Sequence, residues 1–127
     1  MIIGISSGDI NGIGIEVTLK AIQKRKWPDD VSFKIIGSEK VIKEQSNYLG
    51  INIPKKVTYE NIGEANWYPG ELRTDASHLA YNAIDSGITS CLSNKIDALV
   101  TSPISKNGFK KANINFPGHT EILGKMT

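Results

Sequence analysis

Short apolar runs that stop at glycine or serine alternate with segments of helical periodicity along this chain. The run at residues 2–5 (IIGI) stops before Gly8, and apolar residues at helical spacing begin at Ile15. Similar runs occur at residues 31–36 (VSFKII) and 96–101 (IDALVT). Apolar strands of this kind are buried on both faces, and the helices between them return the chain so that the strands run parallel. The pattern predicts an α/β fold, a three-layer sandwich with mostly parallel strands.

The first two helices have predicted ends. Trp27 and Pro28 close the first helix, because proline disfavours helical backbone at the residue before it. Ser38 is a predicted N-cap for a second helix through Leu49, and Gly50 is its predicted C-terminal stop. These helix-capping and helix-terminating residues define two strand–helix units in the first 50 residues.

The second half of the chain is predicted to hold a loop and a long helix. A third strand is predicted at residues 56–59 and an ordered loop at 60–73, in which residues 68–71 (YPGE) suit a type II turn. An amphipathic helix follows at 74–94. Ser102 and Pro103 are predicted to start a fourth helix. The apolar residues of the long helix are Leu79, Ala80, Ala83, Ile84, Ile88, Cys91 and Leu92.

Composition limits the classes of partner. The 127 residues have a net charge of +2, which gives no basic field for nucleic acid or an anionic membrane. No apolar stretch approaches the length of a membrane span, and the first residues do not resemble a signal peptide, so we expect a cytoplasmic location. The single Cys91 forms no internal disulfide and is predicted to be a small buried residue.

Two loops follow predicted strands and carry groups that suit an anion. Asp9, Asn11 and Gly12 lie between the first strand and the first helix, where ligands of open α/β sheets bind. The alternative for this loop is a tight turn that needs glycine for its backbone geometry. Ser102 and Lys106 bring a hydroxyl and an ammonium to the second loop, for which the alternative is a capped helix start with a solvated lysine.

The two histidines have different surroundings in the sequence. His119 lies between Gly118 and Thr120, at a predicted helix start, and is a candidate binding residue. His78 falls on the polar side of the long helix and is interpreted as a solvated residue. Because a metal site needs three or four ligands, we predict no metal-binding residue in this chain. The predicted helix after His119 has less than two turns before residue 127, so we expect a longer protein or a partner chain.

Three segments together resemble the 4-hydroxythreonine-4-phosphate dehydrogenase family of pyridoxal phosphate biosynthesis. They are GDINGIGIE (8–16), DALVTSPISK (97–106) and FPGHTEIL (116–123), in the order and spacing of that family. The resemblance implies the N-terminal part of the first domain of a two-domain dehydrogenase with an isocitrate/isopropylmalate dehydrogenase-like fold. Residues 1–127 would belong to that first domain, and the intact protein would be a homodimer.

The resemblance also implies a reaction and two site residues. Members of this family oxidise 4-phosphooxy-L-threonine with NAD, and decarboxylation then gives 3-amino-2-oxopropyl phosphate. A divalent metal (Zn, Mg or Co) polarises the reacting oxygen. The substrate-binding histidine and threonine of the family correspond to His119 and Thr120, whereas the metal and NAD residues lie downstream in the family. The alternatives are a related dehydrogenase for a phosphorylated four-carbon sugar acid and a non-catalytic module that binds phosphorylated metabolites.

Overall fold

The sheet of this protein is parallel throughout. A computed structural model describes all residues, 1–127, and its four strands lie in the order β3-β2-β1-β4. Every strand pair is parallel, with Ile5 opposite Ile35 in β2 and opposite Val100 in β4. The predicted parallel sheet is confirmed. The strands are β1 (Ile2–Ser6), β2 (Ser32–Gly37), β3 (Val57–Asn61) and β4 (Ala98–Thr101).

Helices connect the strands and cover both faces of the sheet. Side chains alternate between the two faces of a strand, so neighbouring residues of β1 meet different helices. Ile5 packs in one cluster with Leu19 and Val41, which belong to the first two helices. The predicted three-layer sandwich is therefore observed. The helices are α1 (Gly14–Lys24), α2 (Glu39–Leu49), α3 (Thr74–Leu92), α4 (Lys106–Lys111) and α5 (His119–Met126).

Helix α3 packs closely on the opposite face of the sheet. A Cβ atom at Gly87 would lie 2.6 Å from Cδ1 of Leu99 and 3.3 Å from Cδ1 of Ile36. Glycine at this position lets the helix approach β2 and β4. Beyond it, Ile84 and Ile88 join a second buried cluster with Phe109 and Ile122, which fixes α4 and α5 against α3. None of the helices is long and apolar enough to cross a membrane.

Several predicted ends are confirmed. The hydroxyl of Ser38 accepts a hydrogen bond from the backbone N–H of Val41 at 3.4 Å, and Gly50 ends α2 with a φ of 66°. Gly70 has a φ of 78°, and the N–H of Glu71 donates to the carbonyl of Tyr68 at 3.0 Å, as a type II turn requires. The turn and the cap predicted from residue type are both formed.

The predicted start of the fourth helix is wrong. Helix α4 begins at Lys106, and its N-cap is Ser105, whose hydroxyl accepts from the N–H of Gly108 at 2.9 Å. Ser102 does not cap a helix because its N–H donates to the carbonyl of Ser6 at 3.2 Å and so continues the pairing of β4 with β1. Cys91 is half-buried rather than buried, since it lies in the last turn of α3, where Leu92 is also exposed.

Candidate functional site

The loops that follow β1 and β4 pack against each other at the carboxyl edge of the sheet. The N–H of Asp9 donates to the carbonyl of Pro103 at 2.9 Å. Gly8 adopts a left-handed φ of 66°, and a Cβ atom there would collide with the same Pro103 carbonyl oxygen. Glycine at position 8 is therefore required by both its backbone conformation and the close approach of the two loops.

Ser102 connects three elements at this edge. Its N–H donates to Ser6, and its hydroxyl lies 3.2 Å from the hydroxyl of Thr18 in α1. Its carbonyl oxygen lies 3.0 Å from Nε2 of His119. The side chain is buried. The structure thus gives Ser102 a framework role, with its hydroxyl paired to Thr18; anion binding by Ser102 stays a prediction.

His119 is positioned by that carbonyl. The ring is half-buried, at the first residue of α5. A carbonyl oxygen only accepts hydrogen bonds, so Nε2 must carry a proton and donate to Ser102. In the neutral imidazole, Nδ1 is then a hydrogen-bond acceptor, and in the imidazolium it is a second donor. Thr120 follows His119 and is exposed, so a hydroxyl lies next to the oriented ring in the first turn of α5.

Lys106 lies close to the start of α5. Its Cε is 3.5 Å from the place where a Cβ atom on Gly118 would be, and the carboxylate of Glu121 is 3.4 Å from the same place. Lys106 and Glu121 form no ion pair within 4.0 Å. The five ion pairs of the chain all join other residues. The structure therefore places the side chain of Lys106 against Gly118, the residue before His119.

In the loop after β1, the first predicted anion loop, two backbone amides form hydrogen bonds within the loop itself. The N–H of Asn11 donates to the carboxylate of Asp9 at 3.0 Å, and the N–H of Gly12 donates to the Asp9 carbonyl at 3.0 Å. These two donors are therefore not directed at a ligand. Anion binding by Asp9, Asn11 and Gly12 stays a prediction, and the geometry favours the tight-turn alternative for these backbone groups.

Asn11 has a positioning role that the sequence did not reveal. It is 5% exposed, its side-chain Oδ1 accepts from the N–H of Tyr68 at 2.8 Å, and its carbonyl accepts from the N–H of Gly70 at 2.8 Å. These bonds hold the 62–73 loop over the loop after β1. The partners are more than 50 residues apart in the chain, so no local pattern points to them.

Unpaired buried polar atoms concentrate at the end of β1. The hydroxyls of Ser6 and Ser7 and Nδ2 of Asn11 are buried and have no hydrogen-bond partner within the chain. Most buried polar groups in folded proteins are paired, because an unpaired one costs free energy. The unpaired buried side-chain polar atoms of the chain therefore lie together at the carboxyl edge beside β1.

The residues present do not form a metal site. Nowhere in the chain do three His, Cys, Asp or Glu side chains cluster in a way that would hold a metal ion. His119 directs one ring nitrogen to a backbone carbonyl, and His78 is exposed on α3, as its place in the sequence indicates. The chain therefore does not fit a divalent metal by itself, and no metal-dependent step is assigned to it.

Tyr59 and Arg73, which lie outside the site around His119, have raised pKa values. Burial raises the pKa of Tyr59 above its ordinary value, and the nearby Glu39 carboxylate adds to the shift. The side-chain hydrogen bond that the guanidinium of Arg73 donates to the carboxylate of Asp75 raises the pKa of Arg73. Both side chains keep their ordinary charge at neutral pH.

Comparison with known proteins identifies the family. The family model described as "Pyridoxal phosphate biosynthetic protein PdxA" matches residues 13–127. The chain belongs to the PdxA family. The PdxA match includes α4, His119 and Thr120, the elements of the site described above.

Individual PdxA relatives agree with this assignment. The chain is 32% identical over 124 residues to a 4-hydroxythreonine-4-phosphate dehydrogenase from Campylobacter fetus, covering 97% of this chain and 40% of the relative. It is 29% identical over 143 residues to a Clostridium botulinum protein provisionally named a D-threonate 4-phosphate dehydrogenase, covering 99% of this chain and 43% of that protein. These relatives are thus named as dehydrogenases. The chain spans about two fifths of the length of the curated relatives it matches.

Solved structures of PdxA relatives share the fold. The crystal structure of a 4-hydroxythreonine-4-phosphate dehydrogenase from Burkholderia phymatum matches with a TM-score of 0.82 and 25% identity, covering 98% of this chain and 43% of that one. A 4-hydroxythreonine-4-phosphate dehydrogenase from Klebsiella pneumoniae matches with a TM-score of 0.82 at 21% identity, covering 99% of this chain and 44% of that one. The predicted isocitrate/isopropylmalate dehydrogenase-like class is confirmed by this likeness.

Proposed function

We propose that this chain supplies part of the substrate site of an NAD-dependent dehydrogenase that oxidises 4-phosphooxy-L-threonine. Decarboxylation of the oxidised product would give 3-amino-2-oxopropyl phosphate for pyridoxal phosphate biosynthesis. The observation that carries the proposal is the hydrogen bond of His119 to Ser102, which fixes an imidazole at the carboxyl edge of a parallel sheet, beside Thr120. Ligands of open α/β sheets bind at that edge.

The side chains around His119 have the chemistry to bind and orient such a substrate. With Nε2 donating to Ser102, the neutral ring accepts a hydrogen bond at Nδ1, which suits a substrate hydroxyl or ammonium. The hydroxyl of Thr120 donates to an anionic oxygen, and the Lys106 ammonium supplies positive charge nearby. These groups hold the substrate in place, and holding reactants in one geometry is a large part of catalysis.

The NAD and metal sites of the proposed enzyme would lie outside residues 1–127. In the proposed enzyme, NAD would accept the hydride and a divalent metal (Zn, Mg or Co) would polarise the reacting oxygen. The loop after β1 lacks the dinucleotide fingerprint and donates two of its amides internally. The intact enzyme is proposed to be a cytoplasmic homodimer of two-domain subunits, in which residues 1–127 belong to the first domain.

An activity measurement tests the proposal. The complete open reading frame containing this chain is assayed for NAD reduction with 4-phosphooxy-L-threonine and an added divalent metal, beside the 127-residue chain alone. We expect turnover by the complete protein and none by the chain alone, since no metal-ligand cluster is present. Turnover with D-threonate 4-phosphate instead would move the substrate to the sugar-acid alternative. Binding without turnover by the complete protein would favour the non-catalytic module.

A further inference from the structure

Thr18 is a polar residue on the buried side of α1. Its neighbours on that side are the apolar residues Ile15, Leu19 and Ile22. A valine has nearly the shape of threonine and would fill this place without a hydroxyl group. Burying a hydroxyl costs free energy unless the group is hydrogen-bonded. Packing alone therefore does not account for a threonine at this position, and its hydroxyl needs a partner.

The partner of the Thr18 hydroxyl belongs to another part of the fold. A threonine hydroxyl inside a helix usually bonds to the carbonyl four residues back or faces solvent. Oγ1 of Thr18 instead lies 3.2 Å from Oγ of Ser102, which is 84 residues away and also buried. The other side-chain hydrogen bond of α1, from Lys20 to Glu16, stays within the helix. Thr18 is thus the side chain of α1 that holds the segment after β4.

Ser102 is packed at both its side chain and its carbonyl group. A Cβ atom on Gly14 would lie 3.0 Å from Cβ of Ser102, and a Cβ atom on Gly8 would lie 3.0 Å from the Ser102 carbonyl oxygen. Pro103 follows, and a proline restricts the residue before it to extended backbone. Because the backbone has little freedom, a displacement of the Ser102 side chain also displaces the carbonyl oxygen that contacts His119.

We propose that Thr18 is a positioning residue for the substrate site. Its hydroxyl holds Ser102, and the Ser102 carbonyl accepts a hydrogen bond from Nε2 of His119. This second bond selects the ring tautomer, since a carbonyl oxygen accepts only from a protonated nitrogen, and it leaves Nδ1 for a ligand. The role of Thr18 in substrate binding rests on the proposed function, whereas its control of the His119 ring does not.

The test measures the tautomer of the His119 ring in the 127-residue chain. Thr18→Val removes the hydroxyl and keeps the shape, whereas Thr18→Ser keeps the hydroxyl. Thr58→Val is the matched control, because the Thr58 hydroxyl donates to the Phe33 carbonyl at 3.4 Å in β3, at the opposite edge of the sheet from β4. NMR signals of the two ring nitrogens at a pH of about 9, where imidazole is neutral, give the ratio of the tautomers. Circular dichroism verifies that each variant is folded.

The expected result separates the two threonines. Thr18→Val should raise the ratio of the Nδ1–H to the Nε2–H tautomer of His119 by about twofold or more, as weakening of one neutral hydrogen bond predicts. Thr18→Ser should return the ratio to that of the unchanged protein, and Thr58→Val should leave it unaltered. An unaltered ratio in Thr18→Val would overturn the proposal. An equal change in Thr58→Val would also overturn it, because it would indicate a general loosening of the fold.

A double variant tests whether Thr18 acts through Ser102. Ser102→Ala removes the partner hydroxyl and keeps the carbonyl group. Thr18→Val and Ser102→Ala should change the tautomer ratio by similar factors, and both changes together should have no more effect than either alone, because they remove the same bond. Effects that multiply would contradict the proposal. If Thr18→Val does not fold, Ser102→Ala decides alone, and an unaltered ratio in that variant would overturn the proposal.

Substrate titration distinguishes this inference from the proposed function. Thr18→Val should weaken binding of 4-phosphooxy-L-threonine by about twofold or more, and Thr18→Ser should restore it. If the tautomer ratio of Thr18→Val is unaltered while His119→Ala weakens binding, the positioning role is wrong and the proposed function stands. If the ratio changes and His119→Ala leaves binding unaltered, the control of the ring by Thr18 stands and the proposed function is wrong.

Discussion

Nε2 of His119 lies 3.0 Å from the backbone carbonyl oxygen of Ser102, so the first residue of α5 is bonded to the chain segment that extends β4. Ser102 in turn is bonded to Ser6 and lies against Thr18 of α1. Ser102 therefore links the imidazole of His119 to the sheet and to α1. His119 has both a structural bond and a free ring nitrogen, and its variants should show both roles.

Replacement of His119 by alanine should affect binding more than folding. In the proposed dehydrogenase, loss of a charge-assisted hydrogen bond should weaken binding of 4-phosphooxy-L-threonine by about ten- to a hundredfold. Loss of the bond to Ser102 should lower the free energy of unfolding by only about 1 kcal/mol. Substrate titration and urea unfolding measure the two effects. His78→Ala, at an exposed position on α3, is the control and should change neither. A large loss of stability with unchanged affinity would make His119 structural only.

Replacement of Thr120 by valine should have a smaller effect. The change removes one neutral hydrogen bond and keeps the shape of the side chain, at a cost of about 1 kcal/mol in binding. Because Thr120 is exposed, the thermal midpoint should remain close to that of the unchanged protein. Affinity for 4-phosphooxy-L-threonine and the melting temperature are measured together. An affinity identical to that of the unchanged protein would show that Thr120 does not bind the substrate.

Replacement of Gly8 by alanine should destabilise the carboxyl edge. A left-handed backbone costs about 1–2 kcal/mol for a residue with a Cβ atom, and the new methyl group would also collide with the Pro103 carbonyl. We expect the free energy of unfolding to fall by about 2 kcal/mol or more. Gly124→Ala is the matched control, since nothing lies within 4 Å of its Cβ position and the residue is inside α5. Equal stability of the two variants would contradict the described packing of the loops.

Replacement of Asn11 by alanine should release the 62–73 loop. The N–H of Tyr68 would lose the side-chain acceptor that it has at 2.8 Å. An amide that loses its protein partner becomes open to solvent, so its hydrogen exchange should accelerate by about tenfold or more, in line with a loss of about 1–3 kcal/mol. Asn47→Ala, at an exposed position on α2, should leave the exchange of Tyr68 unchanged. Unchanged exchange in the Asn11 variant would show that the loop is held by other contacts.

Local patterns predict the elements of this fold well. Ser38, Gly50 and the turn at Gly70 act through backbone geometry that their own residue type requires, so each is evident from the sequence. The local pattern predicts a start of the fourth helix at Ser102, which is too early, because it does not show that Ser102 pairs with Ser6, a residue 96 positions away. The pairing of Ser102 with β1 therefore prevails over the capping pattern that its residue type suggests.

The candidate site likewise contains residues that local sequence features indicate and contacts that they do not. His119 and Lys106 are candidates by residue type and place in the sequence, since one lies at a predicted helix start and the other in a loop after a strand, whereas Thr120 is a candidate from the family resemblance. The bond of His119 to Ser102 and the role of Asn11 depend on contacts across the fold, and no spacing rule contains them.

The most direct test of the substrate site follows the two imidazoles during one titration. The chain has two histidines, His78 and His119, so their side-chain NMR signals are assigned by substituting one at a time. The 127-residue chain is titrated with 4-phosphooxy-L-threonine at constant pH. The account predicts a saturable shift of the His119 ring signals while those of His78 stay in place. No shift at His119, or equal shifts at both rings, would contradict the assignment of His119 to the substrate site.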